Sequence, residues 1–135
     1  MTQQQPNEIP DDVQVFATRL FQMARDGEMS LLDYVDQGVD VNLANQDGNS
    51  LLMLASYSGH LALTEGLIAR GADVNALNSR GQSPLAGAIF KKEDDIARAL
   101  INAGADATIG TPSAIDTASM FGREDLIDLL KGTQR

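Results

Sequence analysis

Two helix-length patterns alternate along the middle of the chain. Leu63, Leu67 and Ile68 form an apolar stripe on one helix face, and Ile96, Leu100 and Ile101 repeat it further on. Each stripe predicts a longer second helix, preceded by a shorter stretch rich in small residues that predicts a first helix. Ser50 and Ser83 stand where those first helices begin, and a hydroxyl there accepts from the unpaired amides of the opening turn. Pro84 follows at the first helical position, where its missing N–H costs nothing. Gly59 ends the first helix of the earlier pair by supplying a left-handed residue, and Gly71 and Gly104 close the second helices. The order is loop, short helix, turn, longer helix, loop, so a mainly helical protein with almost no strand is expected.

This pattern is periodic. GVDVN at 38–42 returns as GADVN at 71–75 and as GADAT at 104–108, with the same step each time. Asp47-Gly48-Asn49-Ser50-Leu51-Leu52 aligns with Arg80-Gly81-Gln82-Ser83-Pro84-Leu85 at that step, and Ala55 aligns with Ala88. Two full units therefore run over about 45–77 and 78–110. The flanks read as caps. The stretch from Gly27 to Gly38 is shorter by one than that from Gly59 to Gly71, and a first helix is expected to start near Asp11 or Asp12. Ala118-x-x-x-Gly122 repeats Ala55-x-x-x-Gly59, but three loop residues are missing before it. The place of Ile68 and Ile101 becomes Lys131, as expected of a last unit whose outer face meets water. The expected organisation is a disordered tail at 1–10 and one domain over 11–135, with an N-terminal cap at about 11–44 and a C-terminal cap at about 111–135.

Composition narrows the function classes. Hydrophobic residues are 43% and charged residues 21% of 135 residues, so the chain should fold as one domain. The net charge of −9 repels phosphate backbones and anionic lipid heads, so neither nucleic acid nor membrane is expected as a partner. Residues 1–40 hold eight acids and two bases, so most of the negative field sits at the N-terminal end. Cysteine is absent, which excludes a thiolate nucleophile and any sulfur-built zinc site. The opening residues carry neither a basic region nor an apolar core of an export signal, so a cytoplasmic protein is expected.

The candidates for chemistry are few. His60 is the only histidine, with no second ligand or oriented nucleophile to pair with it in sequence, and a structural role in a turn is expected. Carboxylates cluster at Asp11-Asp12, at Glu93-Asp94-Asp95 and at Glu124-Asp125, each at an expected helix start, where they offset the helix dipole. Asp40, Asp73 and Asp106 recur at the period, as do Asn42 and Asn75, which argues for turn chemistry. Gly66 sits inside a predicted helix at a cost of about 0.5 to 1 kcal/mol relative to alanine, a cost that close helix contact would explain. No enzyme and no cofactor or metal is expected from this inventory.

The motifs GADVN at 71–75, Ser83-Pro84-Leu85 with Ala88, and Ala55-x-x-x-Gly59-His60-Leu61 resemble those of the ankyrin repeat. Units of that family, about 33 residues long, pair a β-turn with two helices. The resemblance covers about residues 17–130. It implies an all-α solenoid of stacked helix-turn-helix units joined by β-turn loops. Two departures stand out. Met53 and Ala86 replace the family's usual His in the first helix, which removes the support expected for a hydrogen-bond ladder between loops. Lys92-Glu93 replaces Gly59-His60, so a different turn between helices is expected in the third unit.

The family's loop tips and exposed first-helix faces form a concave surface. Here that places Gln46, Asp47, Asn49, Tyr57 and Ser58 on it from the second unit, and Leu77, Ser79, Arg80, Gln82, Phe90 and Lys91 from the third. Arg25 and Met120 extend the column into the caps. Tyr57 and Phe90 lie one period apart and should be neighbours, and aromatic, Arg and Met side chains are enriched in binding hot spots. The alternative is that Phe90 or Phe121 fills space between helices. The implied function is a non-catalytic, monomeric module that binds another protein, one with a basic patch given the acidic charge. The alternative function is a small inhibitor or immunity-type protein covering a basic enzyme or toxin.

Overall fold

The computed structural model describes residues 11–133, so the tail expected at 1–10 and the last two residues of the C-terminal cap lie outside it. Among the described residues eight helices form four consecutive pairs: α1 (Asp11–Asp26) with α2 (Leu31–Asp36), α3 (Leu51–Tyr57) with α4 (Leu61–Ala69), α5 (Pro84–Phe90) with α6 (Asp94–Asn102), and α7 (Ala114–Met120) with α8 (Glu124–Thr133). The first helices meet in the order α1, α3, α5, α7, while α2, α4 and α6 meet in a second layer. Among the described residues the only β pairing is one isolated bridge, Ala44 with Ser50. This is the all-helical solenoid that the resemblance implies.

Local signals explain where α3, α5, α6, α7 and α8 start. Ser50 Oγ accepts from the Met53 amide at 3.0 Å and Ser83 Oγ from the Ala86 amide at 3.1 Å. Ser113 makes the same cap with Asp116 at 3.1 Å. The three-residue deletion hides it in the sequence by moving it off the period. Asp94 and Asp95 open α6 and Glu124 and Asp125 open α8, as the dipole argument requires. The core lies between the two layers, with Leu51, Leu63, Leu67, Ile96, Leu100, Leu126 and Leu130 almost wholly buried. Each such side chain contributes about 1.5–3 kcal/mol on removal from water.

Two expectations need correction. The turn of the third unit does not differ: Lys92 takes φ 59°, close to the 66° of Gly122 and the 84° of Gly59. The Glu93 amide returns to the Ala88 carbonyl as the His60 amide does to that of Ala55. Packing of the flanking helices fixes the turn, and the lysine adopts it at a conformational cost. The loop ladder also exists without the family's histidine. Asn42 Oδ1 accepts from the Asp73 amide at 2.8 Å, Asn75 Oδ1 from the Asp106 amide at 2.7 Å, and the Ser79 amide donates to the Asp47 carbonyl at 3.0 Å. The recurring aspartates each fold their own turn, Asp73 Oδ1 accepting from the Asn75 amide at 2.9 Å, while the asparagines reach across to the next loop.

Gly66 has a packing reason. A Cβ there would collide with Leu32 Cδ1 of the preceding unit. The missing side chain lets buried Leu32 close the gap between α2 and α4.

Candidate functional site

The first-helix layer and the loop tips form a groove face. Each loop tip is held by one asparagine: Asn45 Oδ1 accepts from the amides of Asp47 and Asn49, and Asn78 Oδ1 from those of Arg80 and Gln82, all at 3.0 Å. Asn78 Nδ2 also donates to Asn49 Oδ1 at 2.9 Å and to Gln82 Oε1 at 2.8 Å, so the amide groups of two loops form one network.

Of the residues read as a surface column, all are exposed except Asn49, which is half-buried. The structure gathers most of them into two recesses. The first, about 370 Å³, is lined by Arg25, Asp47, Asn49, Tyr57, Ser58, Arg80 and Gln82, together with Met53, Leu54 and Asn78. The second, about 290 Å³, is lined by Tyr57, Gln82, Phe90 and Met120, with Met53, Ala86, Gly87, Pro112 and Thr117. Met53, Tyr57 and Gln82 line both, which makes them parts of one groove. Gln46, Leu77, Ser79 and Lys91 line neither recess.

Tyr57 and Phe90 share the second recess, but each ring has its own partner. Lys91 Nζ lies 5.1 Å from the Tyr57 ring centroid, a cation–π arrangement that holds the phenol along the first-helix layer. Phe90 meets Phe121 edge to face, with centroids 5.8 Å apart. Tyr57 is 43%, Phe90 54%, Phe121 44% and Met120 64% exposed, so none of them is a core residue filling space between helices.

Sequence reasoning passes over Met53, Ala86, Asn78, Pro112 and Thr117. Asn45 and Asn78 stand one period apart, a recurrence that marks them as loop anchors. Met53 and Ala86 occupy the places where the family carries histidine, and both line the second recess.

The ionisable clusters are used structurally. His60 Nε2 donates to the Arg25 carbonyl at 2.7 Å, fastening the second helix pair to the end of α1. Arg123 binds Asp94 through two nitrogens at 2.8 and 3.1 Å and also reaches Asp125, tying α6 to α8. Its guanidinium holds both carboxyls below their ordinary value of 3.8. Arg70 grips Asp36 in the same way at 2.8 and 3.1 Å, tying α2 to α4 and lowering that carboxyl. Asp106 is lowered by the hydroxyl and amide of Thr108. Among the described residues no cluster of three or more acidic or histidine side chains is disposed to hold a metal ion, and no helix is long and apolar enough to cross a membrane.

The chain is similar over 61 residues to an ankyrin repeat protein of Pseudomonas aeruginosa, at 44% identity. That segment covers 44% of this chain and 36% of the relative, so about a third of the relative's length is matched. Residues 20–111 match the family model of ankyrin repeats, in three copies. With the exact period, the paired helices and the asparagine-linked loops, this match places the chain in the ankyrin repeat family.

Proposed function

We propose that the protein is a non-catalytic binding module that receives a partner protein in the groove formed by its loop tips and first helices. Ankyrin repeats generally mediate protein–protein interaction, which supports the class of function. The observation that carries the surface is the run of exposed Tyr57, Phe90 and Met120 along one recess continuous with a second that holds Arg25 and Arg80. Large aromatic and sulfur side chains left half in water gain most when a partner covers them. The module is proposed to act as a cytoplasmic monomer.

A second reading rests on charge. Asp26, Glu28, Asp33 and Asp36 are exposed on the N-terminal cap, Asp36 paired with Arg70, and they would draw a basic patch on a partner and raise its association rate. An inhibitor or immunity-type protein covering a basic enzyme would use that surface.

Melting and binding measured on the same variants separate the readings. Tyr57→Ala and Phe90→Ala should each weaken capture of the native host partner by about 1 kcal/mol or more. Thermal stability should change little, whereas truncating a buried aromatic costs about 3 to 5 kcal/mol. Arg80→Ala should weaken binding alone. Unaltered affinity in all three, with loss in Asp26→Lys and Glu28→Lys, would move the partner surface to the acidic cap.

A further inference from the structure

The groove carries a charge opposite to that of the protein around it. The chain has 19 acids against 10 bases, yet the first recess is lined by two arginines, Arg25 and Arg80, against one acid, Asp47. Neither guanidinium has an ion-pair partner among the described residues, unlike Arg70 and Arg123, which are each gripped by aspartate. The second recess holds no Asp, Glu, Lys, Arg or His and is walled by Phe90, Met120, Met53 and Pro112. The amide network lines the first recess, and its Gln82 reaches the second. Asn78 Nδ2 occupies the oxygens of Asn49 and Gln82, which leaves Asn49 Nδ2 and Gln82 Nε2 as donors without a partner among the described groups.

Resting on the groove being the binding surface, we infer that its occupant is an extended peptide segment carrying an Asp or Glu side chain close in sequence to a large apolar side chain. The carboxylate pairs with Arg25 and Arg80, whose forked donors suit a carboxylate better than any cation. The apolar side chain fills the recess beside Phe90 and Met120. The free amide donors of Asn49 in the first recess and of Gln82 on the shared wall meet backbone carbonyls of the segment, which an extended chain offers and a helix does not. The charge complement is local, so the occupant differs from the basic-patch partner that net charge alone suggests.

A library of randomised peptides with amidated C-termini tests this, because any carboxylate selected must then come from a side chain. The folded protein should enrich peptides with Asp or Glu near Leu, Ile, Phe or Met and deplete Lys and Arg. Arg25→Glu with Arg80→Glu should weaken the selected peptides by roughly tenfold or more, the scale of a charge-assisted hydrogen bond, and shift selection toward basic sequences. Arg98→Glu with Lys131→Glu makes the same change in net charge away from the groove and should leave selection as it was. Met120→Ala should relax the apolar preference alone. Enrichment of basic peptides that still depends on Tyr57 and Phe90 would overturn the inference while keeping the groove as the binding face. Enrichment of no peptide, with host-partner capture still lost in Tyr57→Ala, would do the same. Selection indifferent to Tyr57, Phe90, Arg25 and Arg80 together would overturn both readings.

Discussion

In the middle of α4 stands Gly66, and one period on, in α6, the residue is Ala99. At the turns before these helices, Gly59 and Lys92 take nearly the same left-handed conformation. The two internal repeats thus reach one backbone with different side chains, and the difference follows from what each one touches. Repeat two abuts the N-terminal cap, whose short α2 drives Leu32 against α4 at the glycine. One period after Leu32 stands Glu65, which is exposed. No comparable leucine enters the contact between α4 and α6 there, and Ala99 is accommodated. A repeat's sequence is therefore written by its neighbours as well as by its own fold.

The largest expected effect follows from that contact. Gly66→Val should destabilise by about 1 to 3 kcal/mol, the range for overpacking a closed contact, measured by urea unfolding. Gly66→Ala should also destabilise, although alanine is the better helix former by about 1 kcal/mol. In a Leu32→Ala background the Gly66→Ala penalty should vanish, because the collision is gone. A stabilising Gly66→Ala in the wild-type background would mean that Leu32 moves aside freely and that the two repeats differ for no packing reason.

The turn pair gives the next effect, in opposite directions. A non-glycine residue in the left-handed region carries a penalty of about 1 kcal/mol or more. Lys92→Gly should therefore stabilise by about 1 kcal/mol, and Gly59→Lys should destabilise by a similar amount. Equal melting temperatures for wild type and Lys92→Gly would show that the lysine side chain makes a compensating contact.

Two serines should behave alike, since Ser50 and Ser83 cap their helices at 3.0 and 3.1 Å. Ser50→Ala and Ser83→Ala should each lower stability by about 1 kcal/mol. A clearly larger loss at Ser50 would show that repeat two, next to the cap, sets the cooperativity of the whole stack.

These features are unequally legible in the sequence. The period, the serine caps, Pro84 and the apolar stripes are local signals, and they place α3 to α6 without coordinates, while the surface column follows from the resemblance to the family. The turn at Lys92 misleads because local preference points away from a left-handed lysine while the helices on either side require it. The ladder is hidden for a different reason: Asn42 and Asn75 signal a turn by composition, but their partners, the amides of Asp73 and Asp106, lie 31 residues away. Leu32 against Gly66 and Arg123 on Asp94 are likewise contacts between units, invisible to a pattern read within one. At the groove, the residue types exposed at first-helix ends are readable, whereas Met53, Ala86 and Pro112 join the walls only because the stack sets three units side by side.

The smallest effect concerns the junctions on either side of the internal pair. Arg70 with Asp36 ties α2 to α4 and Arg123 with Asp94 ties α6 to α8, but no ion pair joins α4 to α6 among the described residues. Hydrogen bonding to the guanidinium lowers both carboxyls from 3.8 in the folded protein. A depressed folded pKa means that the unfolded chain takes up the proton first, so the stabilisation is fully present well above pH 3.8 and is lost as pH falls through the lowered values. Urea midpoints should accordingly show no contribution from these pairs to any change between about pH 6 and 8 and a decline below about pH 4. Because the carboxylates are partly open to water, the decline should be shallow and should shrink further in high salt. Arg70→Gln and Arg123→Gln should each flatten it, while Arg19→Gln, on α1 and without an ion pair among the described residues, should leave it unchanged. An acid decline that persists undiminished in the Arg70→Gln, Arg123→Gln double variant would place the sensitivity in the loop carboxylates instead, with Asp106, lowered by Thr108, the first to replace by asparagine.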